Sequence, residues 1–428
     1  SDPAAMLLAR GENPHPVQLT RPPVAPLSAM ARLGRRIFFD SSLSAAGRLS
    51  CASCHDPANH YGPPPHTGPV MLGGAHLTRQ GLRAVPTLTY LERQPGFSIG
   101  PDNAENETAP NPQTVALRVH GPRPEKIAGD PAPSAAALVP QGGLFWDGRV
   151  DTLQQQALQP LLNPVEMANA SAASVAAKLR RAPYVRRFVP LFGPSILHDP
   201  RLLLSEAMFA VARYQIEDPS FHPYSSKYDA WLEGKARLTP AEMRGYRLFN
   251  DAKTANCAGC HLDQPRADGT PPRFTDGQFE ALGVPRNPAL TANRNPHFHD
   301  LGLCGPVRQD LRADTQYCGM FLTPTLRNVA TRHAFFHNGV FHSLRQVLDF
   351  YRFRDTDPAR VYPAGADGRP ATFNDLPPRY RGNVDVTDPP FDRKPGYQPA
   401  FTARDAADII AFLRTLTDGY KPEHGGRR

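Results

Sequence analysis

Apolar residues recur along this chain mainly at helical spacing, whereas strand-like alternation of apolar and polar positions is scarce. Residues 151–215 predict helices, with Leu153, Ala157 and Leu161 on one apolar face. Residues 404–416 predict a further amphipathic helix near the C-terminal end. We therefore expect a mainly α protein in which little of the chain forms sheet.

Proline and glycine interrupt this helical pattern. Proline makes up 48 of the 428 residues, roughly twice its average share, and residues 96–142 predict a long loop rich in Pro, Gly and Asn. Thr239 followed by Pro240 predicts a helix start, because threonine caps helices and proline fits the first helical position. A domain boundary just before this helix divides the chain into residues 1–234 and 235–428.

The net charge is +8, from 48 lysines and arginines against 40 aspartates and glutamates. This charge favours either an acidic protein partner or simply solubility, and the lack of a basic stripe with interleaved aromatic residues argues against nucleic acid. No apolar run approaches the roughly 20 residues that span a bilayer, so we expect no membrane span. The chain begins at Ser1 without a basic and apolar leader, and we expect a mature, exported form from which a signal peptide has been removed.

Two copies of the pattern C-x-x-C-H are the strongest chemical signal in the chain. In this motif both thiols bond covalently to a haem, and the histidine that follows is placed to bind its iron. A redox dithiol or a four-cysteine zinc site also uses C-x-x-C, but neither requires this histidine twice. The sequence therefore predicts two covalently bound c-type haems on the following residues: Cys51, Cys54 and His55, and Cys257, Cys260 and His261.

Cys304 and Cys318 belong to neither motif. A disulfide between them would contribute about 3 kcal/mol to stability in the chain-entropy model and would imply an oxidising compartment. The alternative is a pair of buried free thiols. Together with covalent haem attachment, these cysteines favour a periplasmic protein.

Two similar sequence segments, residues 33–40 and 244–250, precede the two haem motifs. Each contains a glycine, a basic residue and an aromatic residue shortly before the first cysteine. The pattern indicates a tandem duplication of a cytochrome c-like unit.

Several short motifs, taken in their order along the chain, resemble those of the bacterial di-haem cytochrome c peroxidase and MauG superfamily. Besides the two haem motifs, they are Gly34–Asp40, Phe145–Arg149, Asn163–Met167, Pro324–Asn328 and Phe336–Gly339, within residues 25–420. The resemblance implies two cytochrome c-like helical domains in tandem, joined by long Pro/Gly-rich loops, with haems that face one another. It also implies that the N-terminal haem meets hydrogen peroxide and that the C-terminal haem exchanges electrons with the outside.

The resemblance assigns roles to four residues between the haem motifs. Trp146 matches a tryptophan that relays electrons between the haems, although a buried core aromatic is the ordinary alternative. Glu166 matches the acid–base residue over the peroxide-binding haem, although Asn163 and Glu166 could instead form the capping box of a helix. Gln156 and Pro160 match further residues of the same pocket.

The residue opposite the histidine of the C-terminal haem separates the branches of the family. The resemblance implies methionine there in the peroxidases and tyrosine in MauG-like members. No methionine follows Met320, and four residues of the helix after residue 343 share one apolar face: Leu344, Val347, Leu348 and Tyr351. Tyr351 is therefore predicted to bind haem iron, with a hydrogen-bonded core tyrosine as the alternative.

An anionic phenolate stabilises high-valent iron better than a neutral thioether does. Tyr351 therefore favours an oxidase of the MauG branch, which uses hydrogen peroxide to form a high-valent di-haem state and then oxidises a residue of a partner protein. The segment around Cys304 and Cys318 resembles MbnH-like members, which oxidise a partner tryptophan, so tryptophan is the expected target. The alternative is a bacterial di-haem cytochrome c peroxidase that takes electrons from a small redox protein.

Two positions depart from the family pattern. His76 aligns ten residues before Pro86, where peroxidases have a labile iron-binding histidine, but it reads equally as a loop histidine. The family often binds calcium through an asparagine at the place of Ala84, so the alanine weakens the case for calcium.

Overall fold

The computed structural model describes residues 2–102 and 138–422 and is mainly helical. The helices before residue 235 are α1 (Pro3–Ala9), α2 (Ala29–Phe38), α3 (Cys51–Cys54), α4 (Leu153–Leu162), α5 (Ala172–Arg180), α6 (Phe188–Phe192), α7 (Pro200–Glu217) and α8 (Lys227–Leu232). Those after it are α9 (Pro240–Phe249), α10 (Leu344–Phe353) and α11 (Ala403–Arg414). None of the helices in the described ranges is both long and apolar enough to cross a bilayer.

Within residues 2–102 and 138–422, sheet is limited to short antiparallel pairs, as the scarcity of alternating patterns predicts. In the described ranges they are β1 (Leu72–Gly73) with β2 (Arg79–Gln80), β3 (Ser98–Pro101) with β4 (Leu138–Gln141), and β5 (Phe279–Glu280) with β6 (Phe321–Leu322). The β3–β4 pair corrects the prediction of a continuous loop over residues 96–142, because both ends of that segment are hydrogen-bonded as strands. Residues 103–137 of the predicted loop lie outside the described residues.

The predicted start of α9 is confirmed. The Thr239 hydroxyl accepts a hydrogen bond from the Glu242 backbone N–H, and the Glu242 side chain accepts one from the Thr239 N–H. This reciprocal capping box satisfies two backbone donors that the first helical turn leaves unpaired. The predicted C-terminal amphipathic helix also forms, as α11, and buries its apolar face.

Two close helix crossings repeat along the chain, and each depends on a glycine. Gly34 of α2 faces the Ala210 carbonyl of α7, where an added Cβ would lie 1.8 Å from the oxygen. Gly245 of α9 faces the Asp408 carbonyl of α11 in the same way, at 2.0 Å. Both glycines belong to the similar sequence segments before the haem motifs, so the sequence repeat corresponds to a repeated helix pair.

Each crossing lies within its own hydrophobic core. The first core is built mainly from α2, α5 and α7, and its largest fully buried side chains include Phe38, Phe188 and Phe221. The second is built mainly from α8, α9 and α11 and includes Tyr228 and Phe249.

The N-terminal residues pack on the second core. The Trp231 Nε1–H donates to the Gly11 carbonyl at 2.9 Å, and the Val17 N–H donates to the Leu232 carbonyl at 2.9 Å. Leu19 is buried within that core as well. The first 20 residues therefore contribute to the C-terminal half of the molecule.

We predict that Gly34→Ala lowers the free energy of unfolding by about 1–3 kcal/mol, because a methyl group cannot fit against the Ala210 carbonyl without moving a helix. Urea unfolding measures the change. Gly382→Ala is the matched control, because no atom lies within 4 Å of a Cβ at that position. Equal stability of the two variants would contradict the close crossing.

Candidate functional site

The first C-x-x-C-H motif forms one helical turn. Ser50 and Ser53 make the capping box of α3, so both thiols are held on a short, fixed segment. The Cys51 and Cys54 thiols are free, and burial raises the pKa of each to about 12. His55 follows directly, with its Nδ1 3.2 Å from the Tyr61 carbonyl oxygen.

The second motif repeats this arrangement on a short 3₁₀ turn, Cys257–Gly259. The Nδ1 of His261 lies 2.8 Å from the Phe274 carbonyl oxygen. Because a carbonyl can only accept, Nδ1 must carry the hydrogen, and Nε2 keeps its lone pair for a metal. Burial lowers the pKa of His261, and it lowers that of His55 to about 4, which favours neutral imidazoles.

One continuous, mainly apolar cavity connects the surroundings of the two motifs. It contains the second motif directly and reaches the loop that follows the first. Residues from both halves line it, including Asn59, His60, Pro86, Trp146, Gln156, Cys257, Cys260, His261, Arg332, His337 and Tyr351. Six of the eleven predicted site residues therefore line one space, and five are not among its lining residues: Cys51, Cys54, His55, Pro160 and Glu166.

Trp146 is buried in the wall of this cavity. Its Nε1–H donates to the Ala84 carbonyl at 2.9 Å, which fixes the ring. The neighbouring Asp147 is held by Arg83, whose guanidinium lies 2.8 Å from Asp147 and 2.7 Å from Asp300. Residues 83–84 thus position Trp146 and connect it to the C-terminal half.

Helix α4 carries Gln156 and Pro160 on the same face, since they are one turn apart. The capping box that starts this helix uses Thr152 and Gln155. Proline has no N–H, so the Gln156 carbonyl lacks its usual helical partner at residue 160. Gln156 is buried and lines the cavity.

Glu166 lies in a turn that follows α4. The alternative of a helix capping box at Asn163 and Glu166 is not observed, because Asn163 ends α4 and the next helix begins only at Ala172. The Glu166 carbonyl accepts the Gly74 N–H at 2.8 Å. Burial raises the pKa of Glu166, partly offset by Arg149, and the carboxyl group is close enough to Cys54 to affect that thiol.

Tyr351 lies on α10 and lines the cavity near the second motif. Its hydroxyl makes no hydrogen bond within residues 2–102 and 138–422, so the alternative of a hydrogen-bonded core tyrosine is not observed. Burial raises the pKa of its phenol, and the neighbouring Cys257 and Cys260 act in the same direction. Phe336 and Phe391 pack against the ring, at centroid distances of 6.1 and 5.6 Å.

The disulfide between Cys304 and Cys318 is present, as predicted. It excludes the alternative of two free thiols.

His76 lies exposed in the turn between β1 and β2 and is not among the residues that line the cavity. The Ala84 carbonyl accepts a hydrogen bond from Trp146, and calcium binding near Ala84 stays a prediction. Elsewhere in the described part, three residues bring carboxylate oxygens within 4.8 Å of one another: Glu280, Asp385 and Asp388.

The sequence reasoning missed two cavity residues. Segments 144–150 and 335–341 are each closed by an antiparallel bridge between their ends, which places His337 where Trp146 lies in the other half. His337 stacks on Phe321 at 3.6 Å, and its buried Nε2 has no hydrogen-bond partner among the described residues. The repeated F-x-x-G motif, which forms the same turn in both halves, is the sequence signal that could have identified His337.

Arg332 is the second missed residue. It lines the cavity, and its Nη2 donates to the Val85 carbonyl at 2.7 Å. It has no carboxylate partner within the described ranges, and burial lowers its pKa to about 10. A buried cation facing an apolar cavity fits the anionic propionate of a haem. With two neutral histidines and four free thiols, the residues present fit two c-type haems.

Comparisons with known proteins agree with this site. The family model for di-haem cytochrome c peroxidase matches residues 28–237. The methylamine utilization protein MauG of Paracoccus denitrificans (strain Pd 1222) is 33% identical over 405 residues, covering 92% of this chain and 90% of that protein.

Solved structures show the same relationship. The diheme peroxidase BthA from Burkholderia thailandensis E264 has a TM-score of 0.77 and 38% identity, covering 96% of this chain and 92% of that chain. A MauG-like protein associated with microbial copper homeostasis has a TM-score of 0.58 and 25% identity, with coverage of 95% and 94%.

We predict that Arg83→Gln lowers the free energy of unfolding by about 3–5 kcal/mol, because it leaves the buried carboxylates of Asp147 and Asp300 without their shared cation. Chemical unfolding measures the loss. The control is Arg345→Gln, which breaks the exposed pair with Asp349 and should cost less than about 1 kcal/mol. Similar losses in both variants would show that Arg83 does not hold the two halves together.

Proposed function

The chain belongs to the family of di-haem cytochrome c peroxidases and MauG, which are peroxide-dependent di-haem oxidoreductases, and we propose that it oxidises a residue of a partner protein. When bound, the two haems supply the redox chemistry, in which hydrogen peroxide is reduced to water and two oxidising equivalents are kept. The residues of this chain bind the haems, move protons and guide electrons.

The observation that carries this proposal is the position of Tyr351. Its phenol faces the cavity beside Cys257 and Cys260, and no methionine follows Met320 that could replace it as a ligand. A phenolate ligand adds a negative charge next to iron, which favours the oxidised haem over the reduced one. This property suits an enzyme that accepts peroxide in its oxidised resting form.

On the N-terminal side we propose Glu166 as the residue that moves a proton between the two peroxide oxygens. Its raised pKa brings it nearer to the range in which one carboxyl group can both take and return a proton. Gln156 and Pro160 share the face of α4 above this turn, and we propose that they shape the peroxide pocket.

Trp146 is proposed to relay electrons between the haems. Its ring lies in the wall of the shared cavity, and its position is fixed by the Ala84 carbonyl and by the ion pair of Arg83 with Asp147. A fixed aromatic ring between two redox groups needs no movement to pass an electron.

We also propose that the two haem motifs belong to tandem cytochrome c-like units, residues 1–234 and 235–428. The repeated helix crossings at Gly34 and Gly245 support two units, and the first 20 residues and α8 of the first unit also pack on the core of the second. The disulfide between Cys304 and Cys318 and the covalent haem chemistry support an oxidising compartment, and we place the protein in the periplasm.

The partner residue is proposed to be a tryptophan, and the partner an acidic protein. The net charge of +8 supports an acidic partner. Likeness to MauG and to the MauG-like protein associated with copper homeostasis supports a protein substrate.

A second candidate function is that of a di-haem peroxidase which takes electrons from a small redox protein. The 38% identity to a chain described as a diheme peroxidase favours it. The two functions differ in the source of the electrons: the peroxidase takes them from a soluble redox protein, whereas the oxidase takes them from a side chain of its partner, which is thereby modified.

We predict that Tyr351→Phe abolishes peroxide-driven oxidation of a partner while leaving both haems attached, because the phenolate is lost but the thiols are unchanged. Haem content and the optical spectrum of the oxidised protein check the two parts. Tyr362→Phe is the control, because that buried tyrosine donates to the Gly283 carbonyl instead of facing the cavity. Normal peroxide-driven turnover in Tyr351→Phe would exclude Tyr351 as the ligand.

We predict that Glu166→Gln slows the reaction with peroxide without changing haem content. The carboxylate form takes the proton, so the wild-type rate should fall as the pH drops through the pKa of Glu166, and the amide should remove this dependence. Stopped-flow rates at several pH values test both effects. Glu217→Gln, which alters a surface pair with Arg213, is the control, and a normal rate and pH profile in Glu166→Gln would exclude the proton-transfer role.

A further inference from the structure

A chain of touching aromatic rings begins at the ligand of the C-terminal haem. His261 bonds to the backbone of Phe274, whose ring contacts Tyr228 at a centroid distance of 5.4 Å. Tyr228 stacks on Trp231 at 5.7 Å, and Trp231 contacts Tyr246 at 5.0 Å. Three of these rings, those of Tyr228, Trp231 and Tyr246, are side chains that can lose an electron.

A second route connects the same end point to the cavity. Phe249 lines the cavity and contacts Phe412 at 5.1 Å, and Phe412 contacts Tyr246 at 5.7 Å. Both routes therefore reach Tyr246 through rings in van der Waals range. The oxidisable side chains are separated from the haem cavity by a single layer of phenylalanines.

Burial along this chain decreases from the haem side to the surface. Tyr228 and Trp231 are fully buried, whereas Tyr246 is half-buried on α9. The next residue, Arg247, is exposed, as is Lys253 after the end of α9, and neither has an ion-pair partner within the described residues. Tyr246 is therefore the end of the chain that a partner can approach, and its surroundings suit an acidic surface.

The fold itself does not require an aromatic residue at position 246. In the similar segment of the N-terminal half, Arg35 follows Gly34 just as Tyr246 follows Gly245. Both glycines make the same close helix crossing. The first half thus packs the same helix pair with an exposed arginine at this place, so packing alone does not account for Tyr246.

We propose that Trp231 and Tyr246 relay electrons from a docked acidic partner protein to the C-terminal haem, across the ring of Tyr228, whose hydroxyl donates to the Asp263 carbonyl and keeps its proton. This inference rests on the proposed function. Two electrons leave the partner side chain one at a time through Tyr246, and together with two protons they reduce one hydrogen peroxide to two waters. Tyr246 loses its phenolic proton to solvent when it is oxidised and regains it when the partner donates an electron.

The local hydrogen bonds fit this sequence. The Trp231 Nε1–H is held by the Gly11 carbonyl, which is too weak a base to take the proton, so Trp231 passes an electron and keeps its hydrogen. The Tyr246 hydroxyl oxygen accepts a hydrogen bond from Gln264 Nε2 at 3.2 Å, and it donates none to the described residues. Phenylalanine at either position would preserve most of the packing and remove the redox-active group.

The test uses the holoprotein with both haems and hydrogen peroxide, without a partner. EPR of wild-type protein with ring-deuterated tyrosine or tryptophan should show a radical on these residues, and peptide mass spectrometry should show oxidation at Tyr246 and Trp231. Tyr246→Phe and Trp231→Phe should each lose part of this signal and prolong the lifetime of the oxidised protein. Tyr397→Phe, which changes an exposed tyrosine outside the chain, should behave as wild type.

Three outcomes are informative. Loss of the radical and a longer lifetime in Tyr246→Phe, with normal haem oxidation by peroxide, would support the relay. Unchanged radical, oxidation pattern and lifetime, with normal haem oxidation, would overturn the relay and leave the proposed function intact. Failure of the wild-type haems to react with peroxide would overturn both. Tyr246→Phe removes only a hydroxyl, so it decides the question even if Trp231→Phe does not fold.

Discussion

Each predicted iron-binding histidine donates its Nδ1 hydrogen to a backbone carbonyl, and the chemistry of the site depends on these two hydrogen bonds. They fix the tautomer and the ring orientation, so that Nε2 is the free donor atom. The carbonyls belong to Tyr61 and Phe274, and both residues have a φ of 56°, a left-handed conformation that side chains other than glycine adopt at a cost. The chain thus keeps a strained turn after each motif, and burial keeps each imidazole neutral.

The two halves repeat this arrangement but differ in what faces the shared cavity. On the N-terminal side Gln156 lines the cavity and Glu166 lies near Cys54, whereas on the C-terminal side Tyr351, the proposed iron ligand, lines the cavity. Arg83 couples the halves, because its guanidinium pairs with Asp147 next to Trp146 and with Asp300 beyond it. In the proposed function, this arrangement separates peroxide chemistry from electron exchange while Trp146 stays fixed.

Local chemistry made part of this molecule predictable. The haem motifs and the Thr239 cap depend on residues a few positions apart, and the pairing of Cys304 with Cys318 followed from elimination. The alternative capping box at Asn163 does not form, because α4 ends there and the next helix begins only at Ala172. That outcome depends on tertiary packing of the turn against Gly73, where a Cβ would lie 2.1 Å from the Val165 carbonyl oxygen. The shared cation of Arg83 joins residues 64 and 217 positions away, and no sequence spacing indicates such a contact.

EPR and optical spectra of the diferric protein, recorded before and after one equivalent of hydrogen peroxide, test most directly whether this chain is a tyrosine-ligated oxidase. We predict one high-spin and one low-spin haem, with both ferric signals lost on addition of peroxide and no prior reduction. Two low-spin haems that ignore peroxide until one electron has been added would contradict the oxidase and indicate a peroxidase with a second ligand on its N-terminal iron.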